Sequence, residues 1–232
     1  MPTKILPNQS RAFHTPAQAW AWMLNIIEQF GDKIKTEDNQ LCKEVMNLQV
    51  TVLEPCNPEN WPIQDSGWSM TGLNQYADQL LSGENPGFDY TYGERMRCGL
   101  AQYDIDRLAR EGLMIKILGQ EHARDHYGVD QIEKAIKMLK ENPTTRRAPI
   151  FIWEPSFDLG KPEHVPCMMV IDPLFRNEKL HLTAFFRSHD IGRAWTQNVY
   201  GISKLLSYMA SQAGMEPGSL TTFSASAHRY EV

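Results

Sequence analysis

Cys167 closes the stretch His164-Val165-Pro166-Cys167, and Phe186-Arg187-Ser188-His189-Asp190 ends an apolar run that contains Leu180, Leu182 and Ala184. Two neighbouring strands could present this thiol, guanidinium, hydroxyl and carboxylate to one pocket. A thiol near fixed positive charge ionises more easily, and the thiolate is the nucleophile. Read by itself, Cys167 is more simply a buried structural cysteine. Its spacing to Arg187, and onward to the residues below, is what points to reactivity.

Further residues could serve the same pocket. Arg146 and Arg147 lie in Thr144-Thr145-Arg146-Arg147, between a helical pattern and an extended one. Paired guanidinium forks suit a phosphate or carboxylate, although a solvated charged turn explains such a pair as well. Arg187 ends an apolar strand, where it requires an anionic partner. Asp190 and Asn198 flank Gly192-Arg193-Ala194-Trp195. Asn198 could cap the helix that follows, or its amide could offer a donor and an acceptor side by side. That pair matches the O4/N3 edge of uracil, whereas cytosine presents the reverse. His228 and Tyr230 share a strand face and could reach a sugar hydroxyl, with a structural role for His228 as the plainer alternative.

The elements that must position these groups are legible from periodicity. Thr15-Pro16 starts a helix that Gly31 ends. Met46, Leu48, Val50 and Val52 alternate with polar residues, which predicts a half-buried strand with Met46 on its inner face. Pro55 to Pro62 reads as a loop and Leu73 to Leu81 as a short helix. Ile105, Leu108, Leu113 and Ile117 suggest helix interrupted at Gly112 and Gly119. Val129 to Leu139 is an amphipathic helix stopped by Asn142-Pro143. Ala148 to Trp153 reads as a strand. Cys167–Ile171 and Leu180–Phe186 form an expected hairpin turning at Arg176-Asn177-Glu178. Val199 to Ala213 carries the strongest helical stripe, and Pro217-Gly218 turns into a last strand. With no repeat or linker, the reading is one α+β domain over residues 1–232, helices packed on a sheet.

Composition narrows the function classes. The chain has 232 residues, 42% of them apolar, and a net charge of −5, which argues against broad nucleic-acid binding. No apolar run approaches the ~20 residues of a membrane span, and Met1-Pro2-Thr3-Lys4 lacks a signal-peptide pattern. The scattered cysteines Cys42, Cys56, Cys98 and Cys167 suggest no zinc site and fit a reducing, cytoplasmic setting.

Taken together, several stretches resemble the thymidylate synthase family, in particular its shorter archaeal-type members. They are Tyr90-Thr91-Tyr92-Gly93-Glu94-Arg95, Asp130-Gln131-Ile132, Asn142 to Arg147 and Pro166-Cys167. The likeness continues through Arg187-Ser188-His189-Asp190, Asn198 and His228-Arg229-Tyr230, and is loose before Gly87. It implies helices on one face of a mixed, twisted sheet whose other face forms a homodimer interface. It implies methyl transfer to dUMP from 5,10-methylenetetrahydrofolate or a related reduced pterin. Cys167 would add to C6 of the pyrimidine. Arg187 and Ser188, with Arg146 and Arg147 from the partner subunit, would hold the 5′-phosphate. Asp190 and Asn198 would bind the base and His228 and Tyr230 the deoxyribose. Tyr92 would join proton transfer near C5.

The chain departs from the family pattern in places. Met168 stands where bacterial and eukaryotic synthases usually have histidine, and the segment between Arg97 and Val129 is longer than in the common bacterial form. The family's proton-relaying glutamate has three candidate counterparts here: Gln79, Asp78 and Glu94. Three alternative readings follow: a dUMP or dCMP 5-hydroxymethylase of the same family, a hydrolase built on Cys167, His228 and Asp190, and a non-catalytic nucleotide-binding protein.

Overall fold

The computed structural model describes residues 9–57, 61–97 and 129–231. The helical pattern expected around Ile105 to Ile117, the long segment after Arg97 and Cys98 all lie outside the described residues.

Among the described residues, one seven-stranded mixed sheet forms the frame. Its strands are β1 (Ser10–Phe13), β2 (Asp32–Lys35), β3 (Leu41–Val52), β4 (Ile150–Phe151), β5 (Met168–Arg176), β6 (Lys179–Asp190) and β7 (Glu216–Tyr230). The order is β1-β3-β7-β6-β5-β4, with β2 also paired to β3. β1 runs parallel to β3 and β6 parallel to β7, while the remaining pairs are antiparallel. The helices are α1 (Pro16–Phe30), α2 (Ile63–Ser66), α3 (Met70–Leu81), α4 (Tyr92–Arg97), α5 (Gln131–Glu141), α6 (Pro155–Asp158) and α7 (Trp195–Ala213). α7 packs on β6 and β7, α1 on β3 and β7, and α3 on α7.

Local chemistry explains most boundaries. Thr15 and Gln18 form a reciprocal capping box around Pro16, which starts α1 as expected. Ser69 caps α3 and Asp130 caps α5, each accepting from a backbone N–H three residues on. Asn177 and Glu178 both take the left-handed conformation, at φ 51 and 62, and close the β5–β6 hairpin in a two-residue turn. α7 is buried along its length, from Trp195 and Val199 through Leu206 to Ala210, so it is the core helix.

Four expectations are corrected. Met46 is 41% exposed while Val45 is buried, because Asn47 adopts a left-handed backbone (φ 58) that breaks the strand's alternation. Pro217-Gly218 lies inside β7 rather than in a turn; the chain turns instead at Gly214, a left-handed C-cap of α7 at φ 71. Gly218 is needed for closeness, since a Cβ there would sit 2.6 Å from His181 Cε1. The strand over Ala148–Trp153 shrinks to Ile150–Phe151. Finally, Asn198 does not cap α7: the helix begins at Trp195 with Ala194 as its cap, so Asn198 falls within the first turns and is buried.

Candidate active site

The hairpin brings the thiol and the guanidinium together. The Arg187 backbone N–H donates to Cys167 O at 2.9 Å. The Arg187 side chain then reaches back along the segment before the cysteine, with Nε donating to Pro166 O at 2.9 Å and Nη2 to Val165 O at 3.1 Å. Its guanidinium lies 5.5 Å from the Trp153 ring centroid. The anionic partner expected for Arg187 is thus replaced by two carbonyls and an aromatic face, which satisfy part of the fork.

Cys167 opens into a cavity of about 540 Å³. Tyr92, Ser188, Asp190, Asn198, His228 and Tyr230 line the same cavity. Parallel pairing of β6 with β7 sets Ser188 beside Ser226 and Asp190 beside His228, so the far ends of two strands supply one wall. α7 supplies Asn198, α3 supplies Tyr76, the segment before α4 and its first residue supply Tyr90 and Tyr92, and β7 supplies Tyr230. Arg187 is not among the cavity's lining residues, and Arg146 and Arg147 are exposed on the connection from α5 to β4.

Of the three candidates for the acid position, Gln79 lines the cavity, Asp78 is exposed and Glu94 is buried away from the lining. Glu94 is held by Asn85, whose Nδ2 donates to Oε2 at 2.9 Å, and its backbone N–H donates to Thr91 Oγ1 at 3.0 Å. It therefore ties the loop before α4 rather than facing the thiol.

The cavity also contains residues that sequence reasoning did not nominate. Tyr76, Phe88, Asp89, Tyr90, Thr91, His164, His189, Ala194 and Gln197 complete the lining. Tyr76 stands three residues before Gln79, on the same helical face, which was a usable signal. His189 sits between Ser188 and Asp190 and went unread because alternation along a strand would turn it away from them.

Electrostatics at the site run against the simplest expectation. Burial pushes the Cys167 thiol up, Arg187 pulls it down and Asp190 pushes it up again, with a net rise. The sulfur is therefore kept as thiol in the free protein, because lost hydration outweighs the guanidinium's field. Tyr90 is pushed up to about 12 and Tyr92 well above the ordinary tyrosine value, both chiefly by burial. These hydroxyls stay neutral, and Tyr92 Oη accepts the Met168 backbone N–H at 3.4 Å. Burial lowers His228, opposed by Asp190.

Asp190 is committed on one oxygen: Oδ1 accepts from the backbone N–H groups of Gly192 at 2.9 Å and Arg193 at 3.1 Å. Two tryptophans pin the same turn, Trp20 donating to Ile191 O at 2.7 Å and Trp68 to Arg193 O at 3.0 Å. Asn198 is held from two sides. Tyr76 Oη donates to its Oδ1 at 2.6 Å, and its Nδ2 lies 3.3 Å from His189 Nε2. Among the described residues no hydrogen bond joins Cys167 to His228, the contact a hydrolase dyad would use.

Fold and site together define an α+β protein with a thiol and a buried amide in the wall of one tyrosine-lined cleft. Comparison with known proteins gives that class its family. The family model described as thymidylate synthase matches residues 44–232. A Methanosarcina mazei protein named "Putative thymidylate synthase" is 42% identical over 93% of this chain and 86% of its own length. Relatives with the same name from Methanococcoides burtonii and Methanothermobacter thermautotrophicus are 40% and 34% identical, covering 94% and 93% of this chain and 87% and 90% of theirs. The chain belongs to the thymidylate synthase family, a family of one-carbon transferases acting on nucleotides. The likeness reaches well before Gly87, where the motifs had made it seem loose.

Proposed function

We propose that the protein methylates C5 of dUMP, with 5,10-methylenetetrahydrofolate as one-carbon donor. The observation that carries this reading is the meeting of Cys167 and Asn198 in one cavity, from elements far apart in sequence, in a chain of this family. Carbon 5 of uracil is a poor nucleophile. Addition of the Cys167 sulfur to C6 breaks the C5–C6 π bond and moves its electrons onto C5 and O4. Because burial holds Cys167 as thiol, its proton is given up only in the complex and passes to O4 as the electrons arrive there, so that S–H adds across C6 and O4 without net charge while Asn198 donates to that oxygen. Asn198 accepts from N3–H and donates to O4, while His228 and Tyr230 take the sugar hydroxyl and Ser188 the phosphate. Arg187 supports that anion with the fork that its carbonyl contacts leave available.

The cavity's contents fit a reduced folate as second substrate. Phe88, 62% exposed at the rim, and Tyr90 offer aromatic faces to a flat pterin. When bound, that folate supplies a one-carbon unit at the formaldehyde level and, for methylation, a hydride. The reading includes a homodimer in the cytoplasm, with Arg146 and Arg147 reaching the partner's phosphate site. Their exposure, on a connection that does not line their own cavity, supports it.

The test is incubation with dUMP and methylenetetrahydrofolate, followed by mass spectrometry of both products. Thymidylate with dihydrofolate is the expected outcome, whereas 5-hydroxymethyl-dUMP with tetrahydrofolate would assign water, not hydride, as the final acceptor. Cys167→Ser is expected to abolish turnover while dUMP binding, followed by calorimetry, survives. Wild-type turnover in that variant would refute the nucleophile assignment.

A further inference from the structure

Behind Asn198 lies a chain of polar groups that the reaction scheme does not use. His189 is 1% exposed, its ring stacked on Phe186 at 3.7 Å between centroids and 12° between planes. Its Nδ1 lies 3.0 Å from Ser224 Oγ, on the neighbouring strand, and its Nε2 faces Asn198 Nδ2 at 3.3 Å. On the other side of the amide, Tyr76 Oη, half-buried at the cavity wall, donates to Asn198 Oδ1. An amide nitrogen has no lone pair to offer, so His189 Nε2 must be the acceptor. The imidazole proton then sits on Nδ1 and donates to Ser224. The ring is neutral, as its burial requires: its pKa is pushed down to about 3.

We infer that His189 and Tyr76 are positioning residues that lock the orientation of the Asn198 amide and so set the pyrimidine specificity of the site. The inference rests on the nucleotide reading above. Each partner consumes one valence of the amide and leaves one N–H and one Oδ1 lone pair for a ligand. In that orientation the free acceptor and donor match N3–H and O4 of uracil. Cytosine, with a lone pair at N3 and an amino group at C4, needs the amide turned over. Turning it over reverses every link. Nε2 would have to carry the proton, Nδ1 would have to accept from Ser224, and the Tyr76 hydroxyl would lose its acceptor in a buried site. A site that leaves a buried polar group unpaired with the wrong ligand discriminates strongly. Phe186 keeps the imidazole plane fixed, so the lock is steric as well as polar.

The experiment compares dUMP and dCMP binding by calorimetry in the wild-type protein and in His189→Leu and Tyr76→Phe, with folding of each verified by circular dichroism. Each substitution is expected to lower the ratio of dUMP to dCMP affinity by about tenfold, by weakening one and strengthening the other. A substitution that only loosened the core would weaken both nucleotides alike and leave the ratio standing. Should His189→Leu not fold, Tyr76→Phe carries the same test from the opposite side. In the wild type, ¹⁵N spectra of the histidine rings are expected to show His189 protonated on Nδ1 at neutral pH. An unchanged ratio in a wild type that prefers dUMP, or protonation of His189 on Nε2, overturns the specificity assignment alone. A wild type that binds neither nucleotide overturns the nucleotide reading and this inference with it.

Discussion

Cys167 illustrates how two opposing effects on one residue are ranked. Arg187 is close enough to favour the thiolate, yet burial and Asp190 together win, so the thiol rests protonated. Alkylation of Cys167 by iodoacetamide, followed peptide by peptide, is expected to titrate above the ordinary cysteine range. Arg187→Ala should move that midpoint higher still; a midpoint unchanged in the variant would show that the guanidinium has no field at the sulfur. His189 gives the opposite linkage. Its pKa falls from 6.5 to about 3 on folding, so the unfolded chain binds its proton first. The stability this residue contributes is complete above about pH 6.5 and is lost as pH falls toward 3. His189→Leu should flatten the acid limb of the unfolding free energy by up to about one proton. An identical slope in wild type and variant would rule the residue out as the acid-sensitive group.

At the scale of elements, what fixes the site is how closely α3, α4 and α7 approach. Gly93, next to Tyr92, packs against the C-terminal turn of α3: a Cβ there would stand 2.0 Å from Ser82 O and 2.4 Å from Gln79 O. Both obstacles are backbone, which cannot swing aside. Gly93→Ala is therefore expected to cost about 3 kcal/mol or more in chemical denaturation, or to displace Tyr92 from the thiol. A variant as stable as the wild type would mean that α4 is free to shift. Gly201 does the same work on α7, where a Cβ would lie 2.9 Å from Leu80 and 3.0 Å from the Tyr76 ring. Helix periodicity revealed α1, α5 and α7 well because their apolar stripes and caps are local. β1 and β2 escaped notice because each has four residues with at most partial burial; β1 also pairs with a distant stretch of β3, whereas β2 closes a short hairpin onto the start of β3.

For the whole molecule the open question is what meets the sheet face opposite the helices. That face carries Thr51, Thr183 and Thr221 in one cross-strand row, with Phe185 stacked on Phe223 at 5.3 Å in the next. Asp172, paired across from Thr183, has an oxygen that is buried without a hydrogen-bond partner. A second copy of the chain would cover such a face, in keeping with the proposed homodimer. Phe185→Asp is expected to shift the protein to half its mass in light scattering; an unchanged mass would place any interface elsewhere. Mixing an Arg146→Ala/Arg147→Ala variant with Cys167→Ser should restore activity in hybrid dimers that hold one intact site. If no activity returns, the arginines do not act across the interface.

By itself the sequence determined the elements with strong periodicity, the hairpin that sets Arg187 beside Cys167, and eight of the seventeen residues that line the cavity. It could do so because those relations are short-range: alternation, capping and a two-residue turn read directly from neighbouring residues. Only the tertiary structure decided that Asn198 is a buried helical amide and not a cap, that Gln79 faces the cavity while Glu94 does not, and that burial outweighs Arg187 at the thiol. Each of those outcomes depends on desolvation and on partners such as Tyr76, His189 and Ser224, brought in from other helices and strands. Hydration lost in a folded interior leaves no mark on local sequence pattern.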